Sequence, residues 1–317
     1  MTEREAARWL LERDNFLILT HIRPDGDTLG CAAALCAALR KKGKTVWVAR
    51  NLGVTATYLG DIQPWFAPED YVPEHIVAVD IATENLFPPE FQCWKGKAEL
   101  CIDHHPSNER YAPNLCLDAS AAACGEVIYR VCKEEMGVMD GEIAKALYLA
   151  ISTDCGCFVY SNTTPTTHRI AAELMEYGDF FKEINQRCFQ TKSRKRLELE
   201  SRLLQSAHYY EDGKVVIGAT SLRDIEEVGA SEADSEELSS LLRQVEGVKA
   251  AATLRELADG SWKLSLRTDP DYLNATDTCA LLGGGGHAAA SGARQSGVDL
   301  AEMERRVLEA IRSNLKG

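Results

Sequence analysis

Short apolar runs alternate with longer amphipathic stretches along the first half of this 317-residue chain. Phe16-Leu17-Ile18-Leu19-Thr20, Thr45 to Ala49, Ile76 to Val79, Leu100 to Ile102 and Asn114 to Leu117 each read as a buried strand. Between them, residues 4–14 carry a helical apolar stripe, and the Ala- and Leu-rich stretch Thr28 to Lys41 reads as a helix that Gly43 ends. The stretch from Asn51 to Pro73 mixes helix and loop character. A helix runs to about Glu135, with Asp118 or Ser120 as its cap, and another from Gly141 to Ala150 leads into Thr153-Asp154. Strand and helix in alternation imply an α/β unit built on a doubly wound, mainly parallel sheet.

The texture changes after about residue 178. Lys192 to Tyr210 is charged, with leucines at helical spacing, and reads as a connector. Asp212-Gly213 marks a turn, and Lys214 to Thr220 opens a second unit. That unit is expected to hold a Ser/Glu-rich helix near Ser231 to Gln244, strands at Lys249 to Glu256 and Trp262 to Arg267, a glycine run at Gly283 to Gly286, and a helix from about Leu300. The division predicted is residues 1–190, a connector at 191–210, and a smaller α/β domain at 211–317.

The chemistry sits where the apolar runs of the first half end. The residues there are His21, Asp25 and Asp27, then Asp80, then Asp103-His104-His105, and, after the apolar helix, Asp154. Parallel strands deliver their carboxyl ends to one crevice, and ligands bind there. Imidazole and carboxylate arriving together are the donors of a divalent-metal site that hydrolyses. Taken singly, each has a plainer reading: Pro24-Asp25-Gly26 as a solvated turn, Asp80 as a helix cap, Asp154 as the exposed end of a helix. Their recurrence shifts the balance, and the adjacent histidines after Asp103 are the most specific signal. Asp80 is suited to bridge two cations, because a carboxylate has two oxygens to share. In the second unit, Gly284, Gly285, Gly286 and His287 offer backbone and imidazole donors for phosphate, and Arg267 offers a planar fork. A flexible loop and an ordinary surface arginine are the alternatives for these.

Composition narrows the class. A net charge of -13 argues against an extended track for long nucleic acid, though not against a short phosphorylated substrate. No apolar run approaches the ~20 residues that span a bilayer, and no signal-type core follows the N-terminus. The expectation is a cytoplasmic protein without a membrane partner. The 11 cysteines lack paired spacing and sit mostly in apolar context, which reads as reduced core residues.

The order and spacing of these clusters resemble the DHH/DHHA1 phosphoesterase family. The resemblance rests on His21 to Asp27, Asp80, Asp103-His104-His105, Asp154 and Gly284-Gly285-Gly286-His287, and spans nearly the whole chain. The compact layout is similar to the family's oligoribonucleases of very short RNA, which also dephosphorylate 3′-phosphoadenosine 5′-phosphate. The resemblance implies an N-terminal DHH domain and a C-terminal DHHA1 domain with the active site in the cleft between them. It implies two Mn²⁺ ions, with Mg²⁺ or Co²⁺ as substitutes. His21, Asp25 and Asp80 would hold one ion, and Asp27, Asp80, His104 and Asp154 the other. His105, with Asp103, would be catalytic, and Arg267 with Gly284 to His287 would bind substrate. Short RNA or nucleotides are the implied partners, with a homodimer as a further expectation. Cyclic dinucleotide hydrolysis and a catalytically inactive nucleotide sensor are the alternatives. One departure stands at Cys155, where a threonine commonly follows the last aspartate.

Overall fold

The computed structural model describes residues 1–231, 234, 235 and 237–316, which form two compact units, Met1–Thr191 and Lys192 onward. The first is built on strands β1 (Phe16–Leu19), β2 (Val46–Val48), β3 (His75–Val79), β4 (Leu100–Asp103) and β5 (Asn114–Leu117). They lie in the order β2-β1-β3-β4-β5, and every neighbouring pair is parallel. In this order the chain leaves β1 toward one edge for β2 and returns on the other side for β3. The β1/β3 boundary is therefore the switch point of the sheet, and a crevice opens outside the carboxyl ends there.

The helices of this unit are α1 (Glu3–Leu11), α2 (Gly26–Lys41), α3 (Ala56–Ile62), α4 (Cys124–Tyr129), α5 (Gly141–Asp154), α6 (Pro165–Met175) and α7 (Phe180–Asn185). Phe16, Ile18, Val77, Val79, Leu100 and Ile102 point to the face that α2, α4 and α5 cover. Leu17, Leu19, Ala78 and Cys101 point to the other, where Phe87 and Phe91, from short 3₁₀ turns and their flanks, close the core in place of long helices. Residues 26–39 of α2 are all buried, so this helix is the apolar centre of the unit rather than an amphipathic surface helix. It meets α5 at Gly30, where an added methyl would run into the Ala146 carbonyl and Ala150.

In this unit two sequence expectations need correction. Neither Asp118 nor Ser120 caps the helix after β5. Asp118 is engaged by Ser120 and Arg130, and α4 begins only at Cys124, with its first amide groups bonded to Asp27. After Tyr129, α4 continues as a π-helical turn, Arg130–Glu135. Asp154, in turn, is the last residue of α5 itself, the helix running four residues beyond Ala150.

The second unit holds a six-stranded sheet of order β10-β11-β9-β8-β7-β6. Its strands are β6 (His208–Tyr210), β7 (Val215–Thr220), β8 (Ala250–Glu256), β9 (Trp262–Thr268), β10 (Gly285–His287) and β11 (Ala290–Gln295). Only β7 and β8 run parallel. Helices among its described residues include α8 (Arg194–Gln205), α9 (Leu222–Val228), α10 (Ala275–Ala280) and α11 (Leu300–Asn314). The stretch read as a connector is part of this unit: Leu199 and Leu203 of α8 pack with Val216, Leu238, Leu242 and Ala251. The helix expected at Ser231 to Gln244 falls partly on residues 232, 233 and 236, outside the described residues; the rest includes two 3₁₀ turns, Glu237–Ser240 and Leu242–Gln244. Ahead of this stretch lies α9, which Ser221 caps with Asp224 in reciprocal hydrogen bonds.

Gly30 provides a test of the α2–α5 contact. Alanine would gain up to about 1 kcal/mol of helix propensity, but overpacking against a backbone carbonyl costs about 1–3 kcal/mol. Gly30→Ala is expected to be net destabilising in urea denaturation; an unchanged midpoint would show that the helices separate freely.

Candidate metal centre

Each strand entering the crevice contributes side chains. After β1 the chain places His21, then Asp25 as the N-cap of α2, its Oδ1 accepting from the amides of Asp27 (3.0 Å) and Thr28 (3.2 Å). Gly26 between them lies against Thr153, where no side chain would fit. After β3 comes Asp80, whose φ of 58° is left-handed while its N–H still donates to the Ile102 carbonyl at 2.9 Å. Such a backbone is uncommon away from glycine and is kept where a side chain must be aimed. β4 ends in Asp103, followed by His104 and His105, and α5 ends in Asp154.

These side chains converge. His21 Nε2 lies 3.7 Å from Asp25 Oδ1 and 3.7 Å from Asp80 Oδ2. His104 Nε2 lies 3.6 Å from Asp80 Oδ1, 3.9 Å from Asp27 Oδ2 and 3.9 Å from Asp154 Oδ2. His21, Asp25 and Asp80 thus form one group of donors and Asp27, His104 and Asp154 a second, with one oxygen of Asp80 facing each. His105 Nδ1 is 3.5 Å from Asp80 Oδ1 and 2.7 Å from Asp103 Oδ1.

Second partners hold the donors in place. His104 Nδ1 sits 3.2 Å from the Ala121 carbonyl, which fixes the proton there and leaves Nε2 with its lone pair toward the carboxylates. Fully buried Asp103 accepts from the His104 and His105 amides, from His105 Nδ1 and, at 2.6 Å, from Asn108 Nδ2. Asp27 Oδ2 accepts from the Cys124 amide at 2.7 Å and Oδ1 from the Gly125 amide at 2.9 Å, so this carboxylate takes up two free amides at the start of α4. Asn162 donates to the backbone carbonyl of Asp154 at 3.2 Å and more weakly to its carboxylate.

The electrostatics divide the carboxylates. Burial, and then the negative charges of Asp154 and Asp25, push the Asp27 carboxyl well above the ordinary range. Burial and the charge of Asp27 do the same to Asp80. Asp103 goes the other way: burial opposes its ionisation, but the His105 and Asn108 hydrogen bonds outweigh it and lower its pKa. The Asp103 hydrogen bond correspondingly raises that of His105. Asp80 Oδ1 is buried and has no hydrogen-bond partner, an arrangement costly unless something positive meets it. Carboxylate and imidazole around an orphaned oxygen fit a divalent cation. The nearby thiols do not compete: burial raises the Cys31 pKa well above its ordinary value and that of Cys124 to about 11, and Cys31 donates to Asp27.

The residues expected to bind substrate lie in the second unit. Along the register, Arg267 of β9 and His287 of β10 both pair with Ala290 of β11, which puts the two on one face of that sheet. Arg267 donates to Ser239 Oγ at 3.3 Å and, among the described residues, meets no carboxylate. The glycine run is not an open cradle. The amides of Gly283 and Gly284 bond back to Ala280 and Cys279, and Gly285–His287 is an edge strand. Asn108, Asn162, the Ala121 carbonyl and the α4 amides were not foreseen from sequence. Asn108 follows His105 closely enough for its turn to be noticed; the others are brought in by tertiary folding alone.

The DHH family, N-terminal domain, matches residues 15–151. The bifunctional oligoribonuclease and PAP phosphatase NrnA of Thermus thermophilus is 32% identical over 304 residues, covering 94% of this chain and 89% of the relative. The protein of that name from Bacillus subtilis is 25% identical, covering 91% and 92%. Among solved structures, an exopolyphosphatase-related protein from Bacteroides fragilis superposes with a TM-score of 0.87 at 21% identity, covering 98% of this chain and 96% of the other. An exonuclease RecJ bound to manganese gives 0.56 at 14% identity, covering 98% and 95%. The chain belongs to the DHH phosphoesterase family, in its NrnA-like group.

A stability experiment reads the charge crowding directly. A carboxyl whose pKa is raised in the folded state favours folding below about pH 4, and that contribution is lost as pH rises through the raised value. In chelator at pH 8, Asp80→Asn removes one such group and is expected to be about 1–2 kcal/mol more stable than wild type in urea. Manganese should reverse the ranking, because cation binding stabilises the chain with the intact donor set. Equal stability of the two proteins under both conditions would contradict the assignment.

Proposed function

We propose that this protein hydrolyses short oligoribonucleotides to mononucleotides and 3′-phosphoadenosine 5′-phosphate to AMP, using two divalent cations, manganese foremost. The observation that carries the proposal is the pair of donor groups sharing Asp80 with its orphaned oxygen. The names of the Thermus and Bacillus relatives supply the substrate class, and the manganese-bound RecJ is consistent with the metal. His21, Asp25 and Asp80 would hold one ion, and Asp27, Asp80, His104 and Asp154 the other. When bound, the cations would lower the pKa of the attacking water and neutralise charge on the phosphate.

The remaining work falls to the chain. His105 Nδ1 is committed to Asp103, which leaves Nε2 to donate to a phosphate oxygen as negative charge grows there. Asp103, fixed by Asn108, keeps that imidazole oriented and positively biased. Arg267 and His287, on one sheet face, bind substrate phosphate, while the exposed edge strand Gly285–His287 lets a ligand approach the backbone closely. The reaction exchanges a ribose oxygen on phosphorus for water. A chain of net charge -13 favours short substrates, since it gains little from a long phosphate backbone.

The test is a panel of pApA, a pentaribonucleotide, a long single strand, 3′-phosphoadenosine 5′-phosphate and a cyclic dinucleotide, scored for mononucleotide and orthophosphate with and without chelator. Turnover is expected to need the cation and to fade beyond roughly five nucleotides. Asp80→Asn should lower kcat at least about 100-fold. Arg267→Ala and His287→Ala should each lower kcat/KM roughly ten- to a hundredfold with manganese content intact, the loss of about 1.5–3 kcal/mol from one charge-assisted contact. Full turnover after exhaustive chelation would sink the proposal. Equal rates on the long strand would point instead to a processive nuclease.

A further inference from the structure

Beyond Asp154 the chain does something unusual. Gly156, Cys157 and Phe158 follow one another with φ of 54°, 56° and 67°, three consecutive left-handed residues of which two are not glycine. Such backbone is unfavourable for L-residues and persists only where the surroundings hold it. Here they do. The Cys157 amide donates to the Ser152 carbonyl at 2.7 Å, and the amides of Val159 and Tyr160 both donate to the Cys155 carbonyl, at 3.0 and 3.1 Å. Phe158 is turned inward, stacked on His168 at 5.3 Å and packed against Tyr148. Asn162 then ties the far end of the loop back to Asp154 and to the Ala122 carbonyl.

The consequence is that Val159 and Tyr160 are driven outward, 80% and 61% exposed. Tyr160 is not loose. Its ring lies directly against Gly156, where any side chain would collide with it. Among the described residues, no aromatic ring pairs with its outer face and no group bonds its hydroxyl. Its backbone is one hydrogen bond from Cys155, the residue that follows the candidate ligand Asp154. The residues that follow, Ser161, Asn162 and Thr163, are polar, so the exposed apolar groups of this loop are Val159 and Tyr160. A protein partner needs about 800 Å² on each side, whereas a single aromatic ring matches one nucleobase in size.

We propose that Tyr160 is a stacking platform for the nucleobase of the nucleotide whose phosphate sits at the metal centre. The inference rests on the function proposed above and assigns within it a specificity-determining residue. A flat ring held against a glycine loses little freedom on binding, which is the economy that a pre-ordered contact offers. Stacking accepts any base, so the platform favours nucleotides over simple phosphate esters without selecting sequence.

The test compares wild type, Tyr160→Phe and Tyr160→Ala in manganese on pApA and on the same diester lacking both bases. It also compares their equilibrium binding of AMP by calorimetry. Tyr160→Ala is expected to raise KM for pApA and Kd for AMP about tenfold, with kcat and manganese content little changed. The base-free diester should be hydrolysed alike by all three, and Tyr160→Phe should match wild type throughout. An equal loss on both diesters would assign Tyr160 a purely structural role in the Asp154 loop and overturn the proposal, as would wild-type KM and AMP affinity in Tyr160→Ala. Should wild type turn over neither diester, the proposed function fails, and AMP affinity alone then decides on Tyr160.

Discussion

The structure of the first unit is organised around a repulsion. Asp25, Asp27, Asp80 and Asp154 are gathered at one crevice, and Asp27 and Asp80 are almost wholly buried there. Charges so placed cost several kcal/mol each unless they are met. The fold meets them piecemeal. Asp25 takes the first amides of α2, Asp27 takes those of α4, and His21 and His104 stand within 3.9 Å of the carboxylates. One oxygen of Asp80 is left over. The parallel sheet with its switch point, the buried α2, the close pass of Gly26 by Thr153 and the left-handed turn at Asp80 can all be read as means of bringing these groups within reach of one another.

A second network, beside the first, runs from His105 through Asp103 to Asn108. It shares a strand end with the carboxylate cluster yet has the opposite electrostatic character. Asp103 is buried but surrounded by donors, so its charge is favoured; Asp27 and Asp80 are buried among like charges, so theirs is not. Two adjacent histidines consequently differ in character. His104 is oriented by a neutral carbonyl and presents a lone pair, whereas His105 is oriented by a carboxylate and presents a proton. The difference comes from their partners, not from the residues themselves.

How far this was legible depended on the range of the interaction. The strands and the residues that follow them are local in sequence, so His21, Asp25, Asp80 and the Asp103-His104-His105 run could be placed at one crevice from the parallel-sheet rule alone. The cap of α4 could not. Nearby Asp118 is a reasonable cap by composition, but tertiary folding delivers Asp27 from 97 positions away and leaves Asp118 to Ser120 and Arg130. The glycine run misled in a different way. Four glycines suggest a loop, but pairing with β11 draws Gly285–His287 into a strand, because glycine is permissive of either conformation. The three left-handed residues after Asp154 had no signal beyond a single glycine.

Asp27 has a double employment that bears on how such a chain can decay over evolutionary time. Asp80 and His104 turn their side chains to the crevice and bond no helix terminus; exchange either, and the helices and sheet retain their own hydrogen bonds. Asp27 closes the start of α4 from within α2, joining two helices that pack side by side. A lineage drifting toward a silent, merely ligand-holding descendant would therefore shed first the groups that serve the chemistry alone. Asp27 would persist as a fossil of the lost activity, retained by architecture after chemistry had ceased to select for it.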